Sequence, residues 1–226
     1  MEKNIPVWDI WVRIGHWLVV VGIVFQQISG GDAEYIDAHA TVGILLGGWV
    51  FFRILWGFVG PKYARFSSFP PPNPKRAKES LKKVLMQQPE KVPGHSVIGG
   101  LAVYLLLTLI VLTALSGMSS SDDILFDGPL APLLPPNIVS LAGIIHPILS
   151  KLVLVIVGIH VIAITWHVMA MKEPLIRGML TGKKPAFNQD PGDPHALSRV
   201  IFVRGLLLSA LMIGCAYGVF AIYLGW

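Results

Sequence analysis

The chain has 226 residues, of which 54% are hydrophobic and 14% are charged, and its 18 Lys and Arg outnumber its 13 Asp and Glu. A soluble domain carries about 25% charged residues, so this composition excludes a disordered chain, a soluble nucleic-acid-binding protein and a disulfide-rich secreted domain. The single cysteine, Cys215, excludes an intramolecular disulfide and a cysteine-rich metal cluster.

Five apolar segments are long enough to cross a bilayer as helices, which takes about 20 residues each. In chain order they cover about residues 10–29, 39–59, 96–118, 142–170 and 200–224. Asp9 and Arg13 lie at the start of the first segment and no small-residue cleavage site follows it, which predicts a retained span rather than a cleaved signal peptide. The sequence therefore predicts an all-α integral membrane protein.

The basic residues lie almost entirely on one side of the predicted membrane. Fifteen of the 18 lie at the start of the chain or within 60–95 and 171–199, whereas 30–38 and 119–141 carry acidic residues and no basic ones. The positive-inside rule then predicts a cytoplasmic N-terminus and a C-terminus on the outer side of the membrane. The net charge of +5 is assigned to topology and to contact with the lipid bilayer, and no nucleic-acid partner is expected.

Residues 74–88 combine basic and apolar side chains in one short segment between the second and third spans. This pattern is typical of a short helix that lies on the inner membrane surface, and also of a solvated cytoplasmic helix.

Four of the seven histidines fall at depths in the membrane where burial of an ionisable side chain is energetically unfavourable. His146 and His160 lie 14 residues apart on the fourth span, so they share one helix face and are about 21 Å apart. By depth, His16 pairs with His160 on the inner side, and His39 pairs with His146 on the outer side. Inward-facing histidine pairs of this kind bind haem iron, whereas a zinc site needs clustered ligands. We therefore predict two bis-histidine haem b groups, non-covalent because the chain lacks a Cys-x-x-Cys-His motif.

Two arginines lie at the level of the predicted inner haem. Arg13 precedes His16 by three positions, and Arg53 follows His39 by 14, so each arginine shares the face of its histidine. Both are predicted to contact haem propionates. The alternative is snorkelling to the membrane surface, which suits Arg13 better than Arg53.

His167 is an alternative inner ligand, because it lies seven residues beyond His160 on the same face. Using it would separate the two irons by about 31 Å along the helix, a long gap for electron transfer. We therefore prefer His160 as the ligand and expect His167 to line a quinone pocket.

Several motifs resemble, in order, those of the bacterial cytochrome b561 family, and more broadly of the di-haem cytochrome b subunits of nickel–iron hydrogenases and formate dehydrogenases. The motifs, which span about residues 6–185, are Val7–Trp17, Phe52–Gly60, Tyr63–Phe66, Gly94-His95, Ile145-His146, Ile159-His160 and Glu173–Lys183. The resemblance implies a four-helix haem-binding bundle within residues 1–185, with His16, His39, His146 and His160 as axial ligands and electron exchange between a quinone pool and a redox partner. Residues 186–226, a cytoplasmic linker and the fifth span, lie outside the resemblance and are open to a role such as docking a partner subunit. Pro147 departs from the pattern: it removes a backbone donor directly after His146 and is expected to reshape the surroundings of the outer ligand, although proline within the first turn of a helix is tolerated.

These observations predict a membrane di-haem cytochrome b that transfers electrons across the inner membrane. Its expected partners are the quinone pool, with quinone as substrate, and a periplasmic c-type cytochrome or oxidoreductase subunit. One alternative is a stand-alone quinone-linked oxidoreductase acting on a small oxidant such as superoxide. The other is a haem-free membrane anchor or transporter.

Overall fold

The computed structural model describes residues 4–88, 92–122, 124, 126–186 and 190–223, and most of them are helical. The helices are α1 (Ile10–Ser29), α2 (Ile36–Val59), α3 (Pro74–Leu85), α4 (Val97–Met118), α5 (Pro136–Met169), α6 (Leu175–Thr181) and α7 (Arg199–Tyr223). Of these, α1, α2, α4, α5 and α7 are long and apolar enough to cross a membrane. The prediction of an all-α integral membrane protein with five spans is confirmed.

The helix bounds follow the predicted spans to within one residue, except at two helix starts. The helix α2 begins at Ile36 rather than at 39, and α5 begins at Pro136 rather than at 142. The early residues of both helices include polar side chains, Asp37 in α2 and Asn137 in α5. These lower the local hydropathy, so the apolar segment in the sequence begins later than the helix does. Lys3, Lys91 and Asp123, which the charge prediction used, and Leu224 in the fifth predicted span lie outside the described residues.

Pro147 lies well inside α5 and not in its first turn, so the tolerance of proline at a helix start does not apply to it. Since proline has no amide hydrogen, the carbonyl of Gly143 loses the donor that the regular helix would supply. One backbone hydrogen bond of α5 is therefore missing beside His146.

Polar side chains cap the starts of three spans. Asp9 Oδ1 accepts the backbone amides of the second and third residues of α1, at 2.9 and 3.2 Å. The same oxygen accepts the indole N–H of Trp56 from α2 at 3.2 Å. Ser96 and Ser198 accept amides in the first turns of α4 and α7. These acceptors satisfy amides that a helix start leaves without intrahelical partners.

The contacts divide the chain into two compact units, and every long helix contributes a segment to both. The first unit comprises the segment up to Ile14, Ile54–Leu105 and Val157–Leu206, and the second comprises Gly15–Arg53, Leu106–Ile156 and the segment from Leu207 onward.

In the first unit, a short strand β1 (Asn4–Pro6) pairs antiparallel with β2 (Lys183–Pro185). The segment after β2 is held against the turn that follows α2. There the Tyr63 hydroxyl donates to Asp190 at 2.9 Å, and the backbone amide of Lys62 donates to Asp193 at 2.6 Å.

In the second unit, glycines bring helices close together. A Cβ added to Gly15 of α1 would lie 2.3 Å from Trp49 Nε1 of α2, and one added to Gly48 of α2 would lie 3.2 Å from the Cβ of Ala216 in α7. Close backbone approach at small residues is the usual way in which membrane helices pack. The helices α1 and α7 therefore both pack against α2 in this unit.

Candidate functional site

Two of the predicted ligand histidines face each other in the second unit. His39 lies in the first turns of α2 and His146 lies in α5. Their ring centroids are 6.2 Å apart and the ring planes are perpendicular. The structure therefore brings together the outer pair that the sequence predicted.

The Nδ1 atoms of both histidines are occupied by hydrogen bonds. His146 Nδ1 lies 3.0 Å from the carbonyl oxygen of Thr113 and 3.2 Å from Ser116 Oγ. Because a carbonyl only accepts, His146 Nδ1 carries the hydrogen and donates it. His39 Nδ1 lies 3.0 Å from Ser29 Oγ. That hydroxyl already donates to the carbonyl of Phe25 at 2.8 Å, so it accepts from His39.

Both imidazoles are consequently held in the tautomer whose Nε2 has a lone pair for a metal. A ligand histidine commonly donates its other ring N–H to a carbonyl or similar acceptor, which fixes the orientation of the ring. Ser29 and Ser116, whose hydroxyls contact these two rings, were missed by the sequence reasoning. Their only signal is a small hydroxyl inside an apolar span.

The spacing of the two rings fits an iron between them. Two metal–nitrogen bonds of about 2 Å and two ring radii of about 1.2 Å would place the centroids about 6.4 Å apart, close to the observed 6.2 Å. Among the described residues, no three His, Cys, Asp or Glu side chains converge to hold a metal ion. Two histidines without further protein ligands suit a cofactor that supplies its own in-plane ligands, as the porphyrin of haem does.

Space around His146 is also restricted. A Cβ added to Gly117 of α4 would lie 2.8 Å from His146 Cε1. Real Cβ atoms almost never lie this close to another heavy atom, so a side chain at this position would push the imidazole. Gly117 is a second residue of the site that the sequence reasoning did not single out.

The predicted inner ligands are both partly buried, and they belong to different units. His16 lies on α1 in the second unit, with its ring edge-on to that of Trp17 at 5.1 Å. His160 lies on α5 in the first unit. The pairing of His16 with His160 stays a prediction.

Arg13 is fixed beside a tight turn in the first unit. A Cβ added to Gly182, whose φ is +79°, would lie 3.0 Å from Arg13 Nη1 and 2.6 Å from the carbonyl oxygen of Trp8. Glycine therefore suits this position for both its left-handed conformation and the lack of space. Within the described part of the chain, the buried Nε of Arg13 has no hydrogen-bond partner. This N–H is able to donate to an anionic group such as a propionate. Arg53 is partly buried in α2, in the second unit.

His167 has a carboxylate partner. Its Nδ1 lies 2.7 Å from Glu173 Oε2, and each side chain is about one-fifth exposed. Glu173 follows the end of α5, so the chain reverses to bring the two together. The sequence reasoning assigned no role to Glu173, although its spacing of six residues across a helix end is a recognisable pattern.

The first unit also contains a buried lysine that the sequence reasoning missed. Lys184 in β2 is 8% exposed, and its Nζ donates to the carbonyl of Gly94 at 3.3 Å and lies 5.3 Å from the centre of the Trp8 ring. Burial lowers the pKa of Lys184 from 10.5 to about 8, against the opposing effect of the Glu173 carboxylate. Lys184 is therefore an amine that releases its proton at about pH 8, well below the usual range for lysine.

Comparison with known proteins places this arrangement in a family. A search of curated proteins and a search of solved structures returned no match. The family model described as prokaryotic cytochrome b561 matches residues 7–182, which is more than three-quarters of the chain and contains every histidine discussed above. The chain belongs to the prokaryotic cytochrome b561 family and is a multi-pass membrane protein that binds haem b and transfers electrons.

Proposed function

We propose that this cytochrome holds two haems b and conducts electrons through the membrane between the quinone pool and a redox partner on the other side. His39 and His146 ligate one haem, and His16 and His160 ligate the other. The facing pair of His39 and His146, 6.2 Å apart with both Nδ1 atoms engaged, is the observation that carries the proposal.

The protein's own groups orient and neutralise the cofactors in this scheme. Haem b, when bound, supplies reversible one-electron chemistry of its iron. Ser29 and Thr113 hold the outer imidazoles in the ligating tautomer. Arg13 and Arg53 offset the charge of propionates, which need cationic partners in a medium of low dielectric constant.

Interconversion of quinone and quinol also takes up or releases protons, and the first unit contains groups suited to that task. The pair of His167 and Glu173, 2.7 Å apart, can hold a proton and pass it on as the charge of a neighbour changes. We assign this pair to the quinone end of the protein. His167 then lines the quinone site and is not a haem ligand.

The proposed setting is the bacterial inner membrane, with the N-terminus in the cytoplasm and the C-terminus in the periplasm. The distribution of basic residues supports this orientation. The periplasmic partner is a c-type cytochrome or an oxidoreductase subunit. Residues 1–185 form the haem-binding domain, and 186–226 form a linker and the helix α7. Reporter fusions to each loop test the orientation, and an inverted pattern would refute it.

Haem stoichiometry in purified variants tests the ligand assignment. The wild type is expected to contain two haems b per chain by pyridine haemochrome. His39→Ala, His146→Ala, His16→Ala and His160→Ala are each expected to lower that to about one, whereas His167→Ala keeps two. Loss of a haem in His167→Ala with retention in His160→Ala would reverse the inner assignment. A wild-type chain without haem would refute the proposal and support a membrane anchor or transporter.

Electron delivery in vesicles tests the role. With quinol as the donor, the haems are expected to be reduced, and to be reoxidised by an added c-type cytochrome on the periplasmic side. Rapid reoxidation by superoxide with no partner protein present would instead support the stand-alone oxidoreductase.

A further inference from the structure

The helix α3 has two distinct faces. Ala77, Ser80 and Val84 recur at helical spacing and turn toward the rest of the first unit, with Ser80 only 1% exposed. At about 100° per residue, Leu81 and Leu85 lie on the adjoining side of the helix, where they are 50% and 69% exposed. The packed face of α3 therefore borders an apolar strip that the described residues leave at least half exposed.

A hydrogen bond ties the end of α3 to a membrane span. The indole N–H of Trp166 donates to the carbonyl of Val84 at 3.2 Å. Trp166 lies in the last turn of α5 and is 41% exposed. Tryptophans at span ends favour the boundary between hydrocarbon and headgroups. This bond therefore holds the C-terminal end of α3, with Leu85, close to the level of the headgroups.

Charge on α3 is strongly positive. Its basic residues are Lys75, Arg76, Lys78, Lys82 and Lys83, and its only acidic residue is Glu79. On the helix wheel Lys78 and Lys82 follow directly after the leucine strip, whereas Arg76 and Lys83 lie on the far side. The leucine strip thus has a cationic border.

We propose that α3 is an interfacial helix that binds the anionic lipid surface of the membrane, with Leu81 and Leu85 inserted among the headgroups and Lys78 and Lys82 on lipid phosphates. An apolar strip with a basic border is the pattern of helices that lie in the membrane plane. Anionic lipid supplies the complementary charge. The hydrogen bond from Trp166 to Val84 keeps the C-terminal end of α3 near the headgroups. A soluble acidic partner would explain the lysines but not the exposed leucines at the end of a span.

Depth measurement on the full haem-loaded chain tests the proposal. A nitroxide is attached at Leu85→Cys in a Cys215→Ala background, and the protein is placed in vesicles of phosphatidylcholine with or without phosphatidylglycerol. With phosphatidylglycerol, the label is expected to be accessible to oxygen and shielded from a water-soluble nickel chelate. In about 1 M salt the shielding should fall, because charges are then screened beyond about 3 Å.

Two double variants with the same loss of charge separate the faces of the helix. Lys78→Gln with Lys82→Gln is expected to lower the ratio of inserted to free helix about 30-fold, from about 1 kcal/mol per basic residue. Arg76→Gln with Lys83→Gln should lower it much less. The proposal is overturned if the label is equally exposed to the nickel chelate in both lipids, if both double variants act equally, or if shielding requires an added soluble protein. Retention of the haem b spectrum shows that each variant is folded.

Discussion

Hydroxyl groups inside the spans form hydrogen bonds with the two facing histidines. His146 Nδ1 has two acceptors, the Thr113 carbonyl and Ser116 Oγ, whereas the hydrogen bond described for His39 Nδ1 is the one to Ser29. The tautomer and orientation of the His39 imidazole therefore depend more strongly on a serine hydroxyl than those of the His146 imidazole do.

This difference predicts unequal effects of two matched substitutions. Ser29→Ala should weaken the affinity for the outer haem about 10- to 100-fold, as loss of a partner to a ligand histidine commonly does. Ser116→Ala should change it far less, because the Thr113 carbonyl still accepts from His146. Haem transfer to apomyoglobin measures both rates of loss. Equal rates in the two variants would show that these hydroxyls do not set the tautomer.

A second prediction concerns the space beside His146. Gly117→Ala would place a Cβ 2.8 Å from the ring, and overpacking of this kind costs about 1–3 kcal/mol. We expect a lower thermal midpoint and a shifted absorption spectrum of the outer haem. Gly214→Ala in α7 is the control, since nothing lies within 4 Å of its added Cβ. An unchanged spectrum in Gly117→Ala would place the outer haem elsewhere.

At the scale of the helices, one carboxylate links the start of α1 to the end of α2. Asp9 caps α1 and also accepts the indole N–H of Trp56 near the end of α2, and both residues are fully buried. Removal of this carboxylate therefore removes the hydrogen bonds to the start of α1 and the one to the indole of Trp56 together.

Asp9→Ala is therefore expected to lower the free energy of unfolding by about 3 kcal/mol, from the lost cap and the lost hydrogen bond to the buried indole. Asp9→Asn keeps an acceptor oxygen and should lose less. Asp32→Ala removes an exposed cap and should cost about 1 kcal/mol or less. Unfolding in mixed micelles gives the three values. Similar losses for Asp9→Ala and Asp32→Ala would contradict the double role of Asp9.

The sequence was informative about helices and much less so about contacts between them. Apolar length identified all five spans, and the 14-residue spacing placed His146 and His160 on one face of α5, because both depend on positions along a single helix. The partnership of His146 with Thr113 depends on the register between α4 and α5, which no single helix records. The same reason hid Lys184, whose burial results from β2 folding back to the segment around Trp8.

At the scale of the whole molecule, Lys184 links proton binding to stability. The folded chain releases the proton of Lys184 at about pH 8, whereas the unfolded chain keeps it until about pH 10.5. Between these values only the unfolded chain binds the proton, so the free energy of unfolding rises with pH. Below about pH 8 Lys184 is protonated in both the folded and the unfolded chain. Its buried charge then lowers the free energy of unfolding by an amount that does not change with pH.

Lys184→Met should remove this pH dependence. We expect the wild type to gain up to about 3 kcal/mol of stability between pH 8 and 10.5 relative to Lys184→Met. Thermal unfolding of both proteins across this range measures the gain. Lys183→Met, which removes the neighbouring exposed lysine, is the control. An identical slope in the wild type and Lys184→Met would show that Lys184 does not titrate in this window.

The continuous helix α5 has a consequence for the rate of electron flow. Its 34 residues correspond to about 51 Å, more than the roughly 30 Å of hydrocarbon, and it carries both His146 and His160. In the proposed arrangement, each haem takes one ligand from this helix, and no loop separates the two ligands in the sequence. Binding of a partner or of quinone would then change how fast electrons enter and leave, without any loop between these two ligands to move.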